Sequence, residues 1–320
     1  MSLLDIENLS LQYRTPAGNV QALQQVTLQA NAGEVLGIMG ESGCGKSTLA
    51  AAIINLLGAN AQVTGGEVRY RGRDILTLPA EDQRRLRGSH IGMIFQDPMT
   101  AFNPVLTIGA QLVDFQHQLP GGQATKLANA LTMLTKVGIP DPALCLRRYP
   151  HELSGGMRQR AAIAAALLLQ PDILVADEPT TALDVTMEAQ IIHLLRELRQ
   201  DYQGAIVIVT HHLGVIAELC DRVVVMYAGQ VVEQGLVDDI YHAPRHPYTA
   251  ALIACDPGAI SAVGARLPTI GGRLPDLIHP SPGCTFAPRC TMALDLCHST
   301  PPPRVQVSAT QSALCHRVQP

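Results

Sequence analysis

Hydrophobic and polar residues alternate with period two from Leu3 to Tyr13 and again from Gly66 to Tyr70, and Val26-Thr27-Leu28 repeats the pattern. Half-buried strands carry that alternation, so these segments predict a small antiparallel sheet. Elsewhere the apolar runs are continuous: Val35-Leu36-Gly37-Ile38-Met39, Ile91 to Phe95, Ile173 to Ala176, and Ala205 to Val209. Such runs predict strands buried on both faces, as in a parallel sheet covered by helices. Helical periodicity separates them. From Glu188 to Asp201 it sets Ile191, Leu194, Leu195 and Leu198 on one stripe. The core reads as α/β.

Between Pro98 and Ser154 helical signals continue without strands, broken at Pro120-Gly121-Gly122 and Pro140-Asp141-Pro142, which predicts a helical insert. The apolar stretch Ala161 to Leu169 follows Arg158 and Arg160 and stops at Gln170-Pro171, so it reads as a buried helix. Beyond about Tyr241 the periodicity fades, and 11 of the 22 prolines lie between Pro244 and Pro303. That segment predicts an irregular appendage needing some other source of order.

At 320 residues and 47% hydrophobic content the chain has material for a main body and an appendage. A net charge of −4 provides no global footprint for nucleic acid, and the basic cluster Arg69, Arg71, Arg73, Arg84, Arg85 and Arg87 is interrupted by acids, as a solvated face is. No apolar stretch reaches the roughly 18–20 residues of a membrane span. The start lacks the basic and long apolar regions of a signal peptide, which predicts a cytosolic protein. Of eight cysteines, Cys44, Cys145, Cys220 and Cys255 are scattered, as small core residues are. Cys284, Cys290, Cys297 and Cys315 crowd the last 37 residues. In a cytosolic chain that cluster favours a metal or cofactor over disulfides.

The chemistry centres on Gly40-Glu41-Ser42-Gly43-Cys44-Gly45-Lys46-Ser47-Thr48, which fits G-x-x-x-x-G-K-[ST] between an apolar strand and a helical pattern. Glycines 40, 43 and 45 let successive backbone N–H groups turn toward phosphate oxygens, and the following helix adds the positive end of its dipole. Lys46 is placed to reach the β- and γ-phosphates and Ser47 to put its hydroxyl on Mg²⁺. Downstream, Asp172 to Glu178 is an apolar strand ending in two carboxylates. Asp177 suits Mg²⁺, directly or through water, and Glu178 suits a general base for the attacking water. Leu153-Ser154-Gly155-Gly156-Met157-Arg158-Gln159 opens a helix with Ser154 as N-cap and glycines that admit an anion.

With that L-S-G-G segment, residues 1 to about 240 resemble the nucleotide-binding subunit of an ATP-binding-cassette transporter throughout. The resemblance implies a P-loop ATPase core with an antiparallel β subdomain, a helical subdomain at about 98–165, and an irregular C-terminal extension at 241–320. It implies that ATP is held by Tyr13, Gly40, Ser42, Gly43, Gly45, Lys46, Ser47, Thr48 and Gln96, and Mg²⁺ by Ser47, Gln96 and Asp177. Gln96 corresponds to the Q-loop glutamine, Asp184 to the D-loop aspartate, and His211 to the switch histidine that contacts the γ-phosphate. Lys46, Glu178 and His211 are the implied catalytic residues. Tyr13 resembles the aromatic that stacks on adenine, the alternative being an ordinary strand tyrosine. After His211 the family more often has Asp; here it is His212, a departure that leaves the switch histidine itself present. Ser154, Gly155, Gly156 and Gln159 would act in trans on a partner's ATP, and since the chain carries one phosphate loop and one L-S-G-G, a second cassette, identical or different, is implied.

The extension narrows the resemblance. His246-Pro247-Tyr248-Thr249 and Ser281 to Cys290 are similar to segments of oligopeptide, dipeptide and nickel importer ATPases. The implied function is ATP-driven import of a peptide, with nickel, a metal chelate or glutathione as alternatives. The implied partners are two membrane-spanning permease subunits and an extracytoplasmic solute-binding protein, with no nucleic acid. The implied location is peripheral, on the cytoplasmic face of the inner membrane. Five, six and seventeen residues separate the four tail cysteines, which matches neither a zinc ribbon nor ferredoxin spacing. Some relatives with this pattern resemble iron–sulfur proteins, so a 4Fe–4S cluster is implied, with zinc and free thiols as alternatives. A soluble cassette ATPase of DNA repair, translation or cofactor assembly is the rival class. The single cassette, acidic balance and His246-Pro247-Tyr248 segment argue against it.

Overall fold

The computed structural model describes residues 2–181, 183–256 and 268–319. Its elements begin with β1 (Ser2–Thr15), β2 (Gly18–Asn31), β3 (Val35–Met39), α1 (Lys46–Ile53), β4 (Ala61–Tyr70) and β5 (Arg73–Asp74). Next come α2 (Ala80–Ser89), β6 (Ile91–Ile94), α3 (Ile108–Phe115), α4 (Gln123–Lys136), α5 (Pro142–Arg147) and α6 (Gly155–Leu167). Then follow β7 (Ile173–Asp177), α7 (Val185–Asp201), β8 (Ala205–Thr210), α8 (Leu213–Leu219), β9 (Arg222–Tyr227) and β10 (Gln230–Leu236). The chain closes with α9 (Val237–His242), α10 (Pro247–Ala254), β11 (Arg304–Gln306) and β12 (Ser312–Leu314). Two compact units emerge: Asn31–Gly33 with Thr77–Ile208, and Ser2–Ala30 with Glu34–Leu76 and Val209–Pro320.

In the first unit β7 lies between β6 and β8. β6 and β7 run parallel, with Ile91 opposite Ile173 and Ile94 opposite Ala176. Every residue of β7 is buried, as the continuous apolar run predicts. α7 buries Ile191, Leu194, Leu195 and Leu198 along the expected stripe, with Ile192 beside them. No strand interrupts the described residues from 95 to 172, and α3, α4, α5 and α6 pack on one another there. Side-chain caps start α3 and α5: Thr107 Oγ1 accepts from the Ala110 N–H, and Asp141, followed by Pro142 in the first turn, accepts from the Leu144 N–H.

In the second unit β2-β1-β4-β5 form the antiparallel sheet the alternation predicts. The alternation changes phase inside β1. Leu4 and Ile6 are buried before Asn8, and Leu9 and Leu11 after it. Asn8 takes φ 50° where the pairing with β4 is irregular; past it the buried set moves from even to odd positions while the register itself is restored, Glu7 facing Glu67 and Leu11 facing Val63. Gly66 is the residue that tolerates this: at φ 79°, a methyl there would lie 2.4 Å from the Asn8 carbonyl oxygen. The other sheet of this unit runs β3-β9-β10-β12-β11, with β3 parallel to β9 and the later pairs antiparallel.

The extension is more ordered than its proline content implies. α10 and the β11–β12 hairpin, which extends the sheet edge beyond β10, lie within it. Residues 257–267 lie outside the described residues. Order comes from buried groups. Tyr227, Tyr248 and Phe286 form an aromatic cluster with centroid separations of 4.7, 5.2 and 5.3 Å. Each such pair contributes about 0.5–1.5 kcal/mol beyond its burial. Glu233, fully buried on β10, accepts from the backbone N–H groups of Arg245 and His246 at 2.7 and 2.9 Å and from Gln311 Nε2 at 2.9 Å. Three-residue strands are too short for periodicity to reveal, and a buried carboxylate leaves no pattern at all.

Candidate nucleotide site

In the second unit β3 delivers the chain, fully buried, to Gly40. Gly40 has φ 155°, and a methyl on it would meet the Met226 carbonyl oxygen at 2.2 Å. Gly45, at φ 104°, would carry its methyl into the Ala22 carbonyl at 2.6 Å. Both positions exclude a side chain. Gly45 is also the N-cap of α1 and supplies no side-chain acceptor, so the opening turn of that helix keeps donors for an anion. Lys46 is buried, and its ammonium donates to the Gly40 and Glu41 carbonyls at 2.8 and 3.0 Å. The cation is thus folded back over the loop. Cys44 beside it is buried, and burial pushes its thiol pKa up. Tyr13 donates to Thr48 Oγ1 at 3.4 Å, which ties β1 to the first turn of α1. His211 is exposed past the end of β8, and its ring lies 4.8 Å from that of His212, tilted at 59°. This unit therefore gathers Gly40, Ser42, Gly43, Gly45, Lys46, Ser47 and Thr48 on one loop and helix start, with Tyr13 of β1 bonded to it, and also carries His211.

The first unit gathers the rest. Asp177 is the last residue of β7 and is buried. Glu178 follows at φ 47°, a left-handed conformation uncommon for a glutamate and of the kind that clusters at functional sites. Its carboxylate accepts from Gln96 Nε2 at 3.0 Å and from Thr181 Oγ1 at 2.9 Å. Gln96 and Glu178, 82 residues apart, are thus brought together. Ser154 caps α6 by accepting from the Met157 N–H at 3.3 Å, and Asp184 caps α7 by accepting from the Met187 N–H at 2.9 Å. A methyl on Gly155 would meet nothing within 4 Å, so this face of the turn is open. One on Gly156 would strike Met187 Cε at 1.5 Å, so Gly156 packs closely on α7. Gln159 departs from the expectation of a residue offered to a partner. It is 1% exposed and donates to the Pro179 carbonyl at 2.7 Å, bracing the turn after Glu178 from within.

The tail cysteines converge in the second unit. Cys284, Cys290, Cys297 and Cys315 line one cavity of about 20 Å³ together with His246 and Phe286. Burial raises the thiol pKa values of Cys284 and Cys315, and the neighbouring cysteines add to the rise. Four soft donors on one cavity are the ligand chemistry of an iron–sulfur or zinc centre. Among the described residues, however, no group of three or more His, Cys, Asp or Glu is arranged to hold a metal ion. His246 caps α10: its Nδ1 accepts from the Tyr248 N–H at 3.0 Å, and burial pushes its pKa down to about 4. No described helix is long and apolar enough to cross a membrane.

Comparison with known proteins draws these parts together. The ABC transporter family model matches residues 23–181, and a model of the oligopeptide/dipeptide transporter C-terminal region matches 232–297. The dipeptide transport ATP-binding protein DppD of Bacillus subtilis is 44% identical over 316 residues, 98% of this chain and 94% of the relative. The chain belongs to the ABC transporter family and is one of its ATPases. The oligopeptide transport ATP-binding protein OppD of Salmonella typhimurium is likewise 44% identical, over 94% of this chain and 89% of its own. Among solved structures, the ABC transporter cassette MJ0796 in dimeric form superposes with a TM-score of 0.65 at 30% identity, over 73% of this chain and 98% of that one. A dimeric post-hydrolysis state of the same cassette, bound to ADP and Pi, matches at 29% identity with the same TM-score. Sequence reasoning overlooked how this ABC ATPase joins its phosphate loop to its extension. Arg289 forms a bidentate ion pair with Glu41 at 2.7 and 2.9 Å, across 248 residues, and no local pattern signals it.

Proposed function

We propose that this ABC ATPase energises the import of peptides across the cytoplasmic membrane. The observation that carries the reading is the match of residues 232–297 to the oligopeptide/dipeptide transporter C-terminal region, supported by relatives named as dipeptide and oligopeptide transport ATP-binding proteins. The ATP-binding domain spans about 1–240, with a helical subdomain at about 98–165, and the extension spans 241–320. Lys46 reaches the β- and γ-phosphates, and Tyr13 stacks on adenine. Ser47, Asp177 and Gln96 hold Mg²⁺, which neutralises phosphate charge when bound. Glu178 accepts a proton from the attacking water, and His211 contacts the γ-phosphate. Ser154, Gly155 and Gly156 complete a partner's site, and Asp184 is the D-loop residue.

The partners are a second ABC ATPase, two permease subunits and an extracytoplasmic solute-binding protein, and the chain sits peripherally on the cytoplasmic face. Gln96 and the helical subdomain receive the permeases. Cys284, Cys290, Cys297 and Cys315 hold an iron–sulfur cluster, zinc being the alternative; their convergence on one cavity supports this. Uptake by the assembled transporter in vesicles tests the function: labelled di- and oligopeptides are expected to enter with ATP. Entry of nickel, a metal chelate or glutathione instead would reassign the solute. An ATPase that never associates with permeases would move it to the soluble class.

A further inference from the structure

Glu41 follows Gly40 in the phosphate loop, and its polar groups face two ways. Its carbonyl accepts from Lys46 Nζ at 3.0 Å and from the Cys44 N–H at 3.3 Å, both inside the loop. Its N–H donates to Tyr248 Oη at 2.9 Å, and its carboxylate takes the Arg289 pair, both from the extension. One residue thus connects the extension to the Lys46 ammonium.

The extension side of this link is built for a fixed position. The Arg289 side chain is 4% exposed, and all five of its N–H donors are used. Beyond Glu41 they go to the Gly271 carbonyl at 2.9 Å, the Ile270 carbonyl at 3.1 Å and Tyr227 Oη at 3.3 Å. Its guanidinium also lies 5.7 Å from the Tyr227 ring centroid. Tyr248 is fully buried, so its hydroxyl has one place to be. Packing does not replace these bonds. A cavity of about 130 Å³, lined by Glu41, Gly43, Cys44, Tyr227, Leu274 and Leu277, separates loop from extension beside them. The charge needs its partner too, since a bare carboxylate in a loop that receives phosphates repels them.

We infer that Arg289 and Tyr248 of the C-terminal extension are positioning residues for the phosphate loop, acting through Glu41 to set the place of Lys46. The extension is then a working part of the nucleotide site, and the His-Pro-Tyr segment serves it through the Tyr248 hydroxyl. The inference rests on ATP binding at Lys46, so Lys46→Ala is the control.

The test measures MgATP affinity of the full chain, and KM and kcat for ATP in the assembled transporter, beside thermal stability without nucleotide. Arg289→Gln is expected to weaken MgATP binding about tenfold and to raise KM by a similar factor while kcat changes less. Arg289→Lys keeps the charge without the planar fork and is expected to fall between. Tyr248→Phe deletes one hydroxyl and keeps the ring, so it is expected to weaken binding about threefold with the melting temperature little changed. Should Arg289→Gln fail to fold, Tyr248→Phe and Arg289→Lys decide alone. Wild-type affinity and KM in folded variants that retain the Lys46→Ala effect would overturn the inference, as would lower melting temperature with unchanged affinity. Loss of the Lys46→Ala effect itself would instead overturn the nucleotide-site reading.

Discussion

Gln96 donates its side-chain amide to the Glu178 carboxylate across 3.0 Å, joining the residue two positions after β6 to the residue that follows β7. Because β6 and β7 are parallel neighbours, their C-terminal ends come out on the same side. A displacement of the segment carrying Gln96 therefore acts directly on the carboxylate proposed to handle water. In the transporter proposed above, that is a short route from a permease to hydrolysis.

Glu178→Gln keeps the shape and the contact with Gln96 but loses the basic oxygen. ATP binding is expected to persist while turnover falls by about 10²–10⁴, the range lost with a general base. Lys46→Ala is expected to weaken binding itself, since it removes the buried ammonium held by Gly40 and Glu41. Equilibrium nucleotide binding and steady-state ATPase rates on both variants separate the two roles. Wild-type turnover in Glu178→Gln would falsify the general-base assignment.

Gly45→Ala is expected to destroy nucleotide binding without touching a catalytic side chain. The residue sits at φ 104° with a backbone carbonyl 2.6 Å from where the methyl would be. Left-handed strain alone costs on the order of 1–3 kcal/mol, and the clash adds to it. Thermal unfolding and ATP titration read the two effects; an Ala variant that binds normally would mean the loop relaxes around it.

The isolated chain is expected to hydrolyse ATP slowly until a second cassette supplies its Ser154-Gly155 turn. That turn faces open space, with no atom within 4 Å of a methyl built on Gly155. Activity measured against protein concentration, with mass measured during turnover, provides the check. Full activity in a chain that stays monomeric would count against it.

Glu233→Ala is expected to destabilise the second unit by roughly 3 kcal/mol, because three donors, two of them buried, lose their acceptor. Glu233→Gln is expected to be nearly as harmful, since its amide nitrogen would face a donor. Chemical denaturation measures both, and a neutral Gln variant would show that one oxygen suffices.

Anaerobically purified protein is expected to carry iron and acid-labile sulfide, lost when Cys284, Cys290, Cys297 or Cys315 becomes Ser. Metal and sulfide analysis with visible absorption decides it. Stoichiometric zinc without sulfide would support the alternative, and no metal would leave four buried or half-buried thiols.

What the sequence alone determined was local or periodic. Continuous apolar runs marked β3, β6, β7 and β8, because a strand buried on both faces has no polar face to show. The phosphate loop was legible because its chemistry needs glycines and a lysine at fixed spacing. Ser154 announced the helix it caps. Tertiary structure alone decided which distant residues share a hydrogen bond. Gln96 meets Glu178 because two strands are parallel neighbours, Gln159 turns inward because Pro179 offers a buried carbonyl, and Glu41 meets Arg289 across 248 residues. Such pairs follow from chain crossings whose geometry no short window contains, so the extension read as an irregular appendage in the sequence and stands in the fold as a brace on the phosphate loop.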